Sequence, residues 1–193
     1  MASNRRIGTE TSETRALLLR SAGELMRDEG YAQVTSRKLA TKAGLKPQLV
    51  HYYFRTMGDL FAELFRQVTQ DHLRLLDEAA RSDDPLARMF EISCDPTNAA
   101  LQLEFLALAN HRKEMHALIA AFGLELNNRE SAIIRAAISA RGLDLAKATP
   151  EELATIIQTS ARGLAFAGRF NSERFSHARD TVISWLRMLA AAG

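Results

Sequence analysis

Residues 34–54 read VTSRKLATKAGLKPQLVHYYF, and this stretch decides the fold. Thr35 is a residue type that caps helix N-termini, and Leu39, Ala40 and Ala43 recur at spacings of three and four, giving a short helix one apolar face. Gly44 stands where the chain must leave that helix, a position that favours the left-handed conformation only glycine adopts at little cost. Pro47 suits the first turn of a second helix, where a missing N–H costs nothing. The spacing predicts that Leu49, Val50 and Phe54 face inward while Gln48, His51, Tyr52 and Arg55 face out. Two short helices about a glycine turn are a helix-turn-helix in outline. An outward face of amide, imidazole, phenol and guanidinium suits base edges and phosphates.

The charge around this stretch points the same way. From Ala32 to Gly58 there are five basic side chains, Arg37, Lys38, Lys42, Lys46 and Arg55, and no Asp or Glu. Residues 1–57 hold ten Lys and Arg against five acids, a balance of +5, and the remainder carries −3, so the net +2 conceals a basic head on a mildly acidic body. That division matches a DNA-binding domain carrying a second domain with another task. Drift in local composition is the bland alternative, and it leaves the motif unexplained.

TSRKLATKAG, followed by LVHYYF and TMGDLFAEL, resembles the DNA-binding domain of TetR-type transcriptional regulators, from about Leu17 to Leu64. Beyond that span only length and helical content agree. The resemblance implies a DNA-binding set of Ser36, Arg37, Lys46, Pro47, Gln48, His51, Tyr52, Arg55 and Thr56. Within it, Arg37 and Gln48 are the expected base readers, with Lys46, His51, Tyr52, Arg55 and Thr56 positioning the backbone. Met57 stands where that family usually has a phosphate-gripping lysine, and Arg55 and Thr56 are the expected substitutes. The implied protein is a homodimeric repressor on a pseudo-palindromic DNA operator, released by a small, largely apolar effector. A DNA-binding regulator without small-molecule control is the alternative.

The rest of the chain reads as helices. Apolar residues from Ala16 to Met26 predict a helix from Ser12 that ends by Gly30, with Tyr31 and Val34 tucked into a small core. Thr56 with Asp59 forms a capping-box pattern, opening a helix to about Arg81 that should brace that core. Lys46-Pro47, Asp84-Pro85, Asp95-Pro96 and Thr149-Pro150 each read as a cap followed by the first helical position. Further helices are predicted near 85–93, 96–109 and 111–141, then a loop RGLDLAKAT, a helix from the Thr149/Glu152 box to Gly168, and a last one over 172–191. No strand pattern and no repeat appears. The expected fold is all-α with about nine helices: a DNA-binding domain over 1–57 and a ligand-binding and dimerisation domain over 58–193.

Small residues at Ala161, Gly163 and Gly168 beside Ile157, Leu164 and Ala165, and the run Val182, Trp185, Leu186 and Leu189, give two helices close-packing apolar faces. Such faces serve either an intrachain core or a subunit interface, and the resemblance selects a homodimer interface. Phe65, Phe90, Phe105, Ile119 and Phe122, with His72, Gln102, Asn110 and His116, could line a ligand cavity. Core packing explains the apolar members equally well.

Enzyme chemistry finds no foothold. None of the five histidines has Glu three residues before it, and HExxH, phosphate-binding glycine loops and GxSxG are absent. The single cysteine, Cys94, allows no intrachain disulfide and no cysteine metal cluster. A polar N-terminus and the lack of about 18 consecutive apolar residues predict neither export nor membrane insertion, hence a cytoplasmic protein. No cofactor and no metal are expected.

Overall fold

Helices joined by short turns make up the chain described by the structure, a computed structural model covering residues 13–142, 148–170 and 172–191. The helices are α1 (Glu13–Glu29), α2 (Ser36–Lys42), α3 (Pro47–Tyr53), α4 (Met57–Ala79), α5 (Pro85–Ser93), α6 (Pro96–Ala109), α7 (Lys113–Arg141), α8 (Pro150–Gly168) and α9 (Ser172–Ala191), with a single 3-10 turn over Tyr31–Gln33. Among the described residues there is no strand. The fold is all-α, as the sequence predicts. Most of the predicted RGLDLAKAT loop lies outside the described residues.

The helix starts follow the local chemistry. Thr35 Oγ1 accepts the Lys38 N–H at 3.2 Å. Thr56 and Asp59 cap one another: the Asp59 N–H donates to Thr56 Oγ1 at 3.1 Å, and the Thr56 N–H donates to Asp59 Oδ2 at 2.9 Å. Thr149 and Glu152 form the same reciprocal box. Asp84 and Asp95 accept backbone N–H groups of the helices they precede. Lys46, directly before Pro47, offers no side-chain cap. The 3-10 turn was not legible in the sequence, and α7 starts at Lys113 rather than at 111.

The chain packs as two units, residues 1–68 with 101–116, and residues 69–100 with 117–193. The division between the units lies inside α4, and residues 101–116 add to the small set of short helices in the first. In the first unit, Leu18, Ala22 and Met26 of α1, Leu39 of α2, Val50 of α3 and Leu60 of α4 are all buried to within about 1%. Gly23 brings α1 close to α4, with Leu64 Cδ1 3.6 Å from where a Cβ would stand. Leu101, Phe105, Leu108 and Met115 complete this unit's buried set.

The second unit centres on Leu76 of α4, Met89 and Phe90 of α5, Leu126 and Ile134 of α7, Ala154 and Ala161 of α8, and Ile183 and Leu186 of α9. Burying an aliphatic or aromatic side chain of this size contributes about 1.5–3 kcal/mol. Cys94 is buried here as a small hydrophobe, its thiol donating to Ala161 O at 3.5 Å. Burial pushes that thiol up to about 12, which leaves it unreactive at neutral pH.

Candidate nucleic-acid interface

The two helices of the motif are held by a backbone turn of defined geometry. Gly44 adopts φ +67°. The Leu45 N–H then donates to Ala40 O at 2.8 Å and the Gly44 N–H to Thr41 O at 3.2 Å, the paired bonds of a Schellman C-cap. Pro47 opens α3 directly afterwards. Val50 and Phe54 anchor α3 at 1% and 3% exposure, and Leu49 is half-buried. With that side fixed, Lys46, Pro47, Gln48, His51 and Tyr52 are exposed together. The Tyr52 and Tyr53 rings meet edge to face at 5.1 Å. Arg15 lies over the Phe54 ring at 5.4 Å and pairs with Glu63 at 3.3 Å, locking the end of α3 against α1 and α4.

The five cations of the acid-free stretch divide into two groups. Lys38 Nζ pairs with Glu29 at 2.8 Å and donates to Gln33 Oε1 at 2.9 Å. Lys42 Nζ pairs with Glu24 at 3.3 Å and Asp28 at 3.5 Å, and the hydrogen bond it donates to Glu24 leads in raising its proton affinity. Acids on α1 therefore neutralise both lysines. Arg37, Lys46 and Arg55 are exposed and, among the described residues, form no ion pair. Lys46 and Arg55 bracket α3 in the chain and Arg37 lies in the first turn of α2, cations left available of the kind a phosphate backbone requires. Sequence reasoning counted all five alike, since only the crossing of α1 over α2 brings the acids near.

Other expected DNA-binding residues are placed differently. Ser36 is half-buried in the first turn of α2. Thr56 is exposed, but its hydroxyl donates to Asp59 Oδ2 at 3.0 Å and accepts from the Asp59 N–H, so it serves as a helix cap.

The expected ligand-lining residues are shared between the two units. In the first unit Phe65 and Phe105 pack edge to face at 5.1 Å and are buried, Gln102 is half-buried, and Asn110 and His116 are exposed. In the second unit Phe90 is fully buried, Ile119 is half-buried, and His72 meets the Phe122 ring at 6.2 Å. A cavity of about 550 Å³ in the second unit is lined by residues including Leu76, Pro85, Arg129, Ile133 and Ala136, and by none of those nine.

A buried polar cluster that sequence reasoning missed lies in the second unit. Glu130 is fully buried, accepting from Ser93 Oγ at 3.3 Å and Gln158 Nε2 at 3.0 Å. Burial pushes its carboxyl up to about 7, against the opposing pull of those donors and of Arg162. His72 is buried with its Nε2 lacking any hydrogen-bond partner, and burial, reinforced by Arg162, lowers it to about 4. Neither position shows this in sequence, because the partners lie tens of residues apart.

The expected dimer residues are largely drawn into the chain's own core. Ala161, Ala165 and Leu186 are buried, and Ile157, Leu164 and Val182 pack against the core cluster. Small residues at 161 and 165 thus allow α8 to approach its intrachain neighbours. Trp185 stays exposed at 58%, as do Ile156 and Met188 at 59% each. Leu189 belongs to α9, and its side chain lies outside the described residues.

Among the described residues no group of three side chains could hold a metal ion, and no helix is long and apolar enough to cross a membrane. Residues 18–64 match the profile of bacterial regulatory proteins of the tetR family. No curated protein matches the chain. Among solved structures it is similar to a regulator from Saccharomonospora viridis in complex with choline, at 19% identity and TM-score 0.77 over 91% of this chain and 96% of the other. A TetR regulator from Haloarcula marismortui gives 18% and 0.75 over 93% and 97%. The fatty acid degradation regulator FadR from Bacillus halodurans gives 14% and 0.74 over 92% and 96%.

Proposed function

We propose that this chain, whose residues 18–64 match the tetR-family profile, is a transcriptional regulator rather than an enzyme, a homodimeric repressor that reads a pseudo-palindromic operator. The observation that carries this reading is the exposed set Gln48, His51 and Tyr52 on α3, flanked by Arg37, Lys46 and Arg55 without acidic partners among the described residues. Arg37 and Gln48 read base edges, each good bidentate contact contributing about 1–3 kcal/mol of discrimination. Lys46, His51, Tyr52 and Arg55 fix the backbone. One seven-residue helix reads too few bases for a useful site, so a second copy is required, with the two recognition helices about 34 Å apart.

The dimer forms through α8 and α9. Exposed Ile156, Trp185 and Met188 support that reading, being large apolar side chains the chain leaves uncovered. A small, largely apolar effector releases the operator by preferring another arrangement of the two heads, and it weakens DNA binding only by that differential affinity. The lever is α4, one unbroken helix whose Leu60, Phe61 and Leu64 are buried in the first unit and whose Leu76 and Ala79 are buried in the second. The choline bound by one structural relative supports small-molecule control in this fold. Such a regulator works in the cytoplasm. Titrating the protein into labelled DNA from beside its own gene, with and without candidate effectors that stabilise it, tests the reading. Preference for that DNA over unrelated duplex, lost on adding the effector, is the expected outcome; equal binding to both contradicts it.

A further inference from the structure

Arg112 stands in the turn between α6 and α7, more than fifty residues beyond the recognition helix in sequence, yet the structure lays its guanidinium on the first turn of α4. A Cβ at position 58 would stand 3.2 Å from Arg112 Nη1 and 3.3 Å from Thr56 Oγ1. Gly58 therefore leaves the room that the guanidinium uses, and the guanidinium and the Thr56 hydroxyl flank the same Cα.

No carboxylate balances this cation. Arg112 is exposed and, among the described residues, forms no ion pair. Asp59, the acid of that turn, has its Oδ2 occupied by the N–H and hydroxyl of Thr56 and forms no ion pair with Arg112. Arg55, also exposed and without an ion pair, directly precedes Thr56. The positive end of the 23-residue α4 adds to the same place. Two arginines at the positive end of a helix repel one another in the absence of an anion.

We propose that Arg112 and Arg55 form a backbone-phosphate site at the rim of the nucleic-acid interface, completed when duplex DNA seats α3. A duplex is favoured over free phosphate because Arg55 and Thr56 follow α3 within three residues of its end, beside the exposed face of that helix in the chain. A contact to phosphate positions the protein on DNA and carries no sequence information. The assignment rests on the reading of the chain as a DNA-binding protein.

Salt-dependent binding of the full chain to a fluorescein-labelled duplex of mixed sequence tests it, comparing wild type, Arg112→Gln and Arg112→Lys. The slope of log K against log salt should be smaller by about 0.9 in Arg112→Gln, the loss of one phosphate contact, and retained in Arg112→Lys, with thermal midpoints unchanged in both. The loss in affinity should be the same factor on any duplex. Wild-type binding with an unchanged slope in Arg112→Gln overturns the Arg112 assignment alone. No wild-type binding overturns the DNA-binding reading itself. Inorganic phosphate, added at matched ionic strength, should not displace duplex from wild type; displacement from wild type but not from Arg112→Gln would make this a free-phosphate site.

Discussion

The Glu104 carboxylate accepts the Tyr31 backbone N–H at 2.7 Å, tying α6 to the short turn that leads into α2. Gly30, at φ +87°, makes that approach with Glu104 Oε2 3.4 Å from where a Cβ would stand. Glu104→Ala leaves a part-buried donor unpaired and should cost about 1–3 kcal/mol, with Glu104→Gln costing less because it keeps a neutral acceptor. Urea unfolding of the two variants checks the order.

The division of the basic residues predicts a contrast in DNA binding. Lys38→Ala and Lys42→Ala should leave the salt slope of duplex binding nearly unchanged, because Glu29, Glu24 and Asp28 already neutralise these side chains. Their exposed pairs contribute at most about 1 kcal/mol to stability. Arg55→Ala should reduce the slope by about one contact. Arg37→Ala should instead relax sequence choice. Equal slopes for all four variants would contradict the assignment.

Stability against pH should show two opposed slopes in the second unit. Glu130 has a folded pKa raised to about 7 from 4.5, so the folded state binds the extra proton and stability falls as pH rises between those values. His72 has a folded pKa lowered to about 4 from 6.5, so the unfolded state binds the extra proton and stability falls as pH drops through that window. The two offset one another between about pH 4.5 and 6.5 in the native protein. Relative to wild type, His72→Gln should leave stability declining as pH rises, and Glu130→Gln should leave it improving. Urea midpoints from pH 4 to 7.5 measure both, and parallel curves for the two variants would refute the opposition.

Trp185 and Ala161 should separate assembly from folding. Trp185→Glu alters an exposed position and should lower dimer content in sedimentation with little change in unfolding of the monomer. Ala161→Leu overpacks a fully buried position and should cost about 1–3 kcal/mol instead. A monomeric wild type would remove the proposed interface.

Local chemistry made much of the fold legible. Gly44, Pro47, Thr35 and the Thr56/Asp59 and Thr149/Glu152 boxes act within four residues, so their turns and helix starts could be read directly. Contacts across the fold could not. The pairing of Lys42 with Glu24, the arrival of Arg112 at Gly58 and the burial of Glu130 beside Ser93 and Gln158 depend on how helices cross, which periodicity does not encode. The same limit explains α8: Ala161 and Ala165 announce close packing, but not whether the neighbour is the same chain or another.

Selection of duplexes from a random library by the full-length protein tests the central claim most directly. The account predicts enrichment of a pseudo-palindrome with half-sites about one helical turn, 34 Å, apart, and loss of that enrichment in a variant with Arg37→Ala and Gln48→Ala. A library returned without sequence preference, or enriched equally by the double variant, would contradict it.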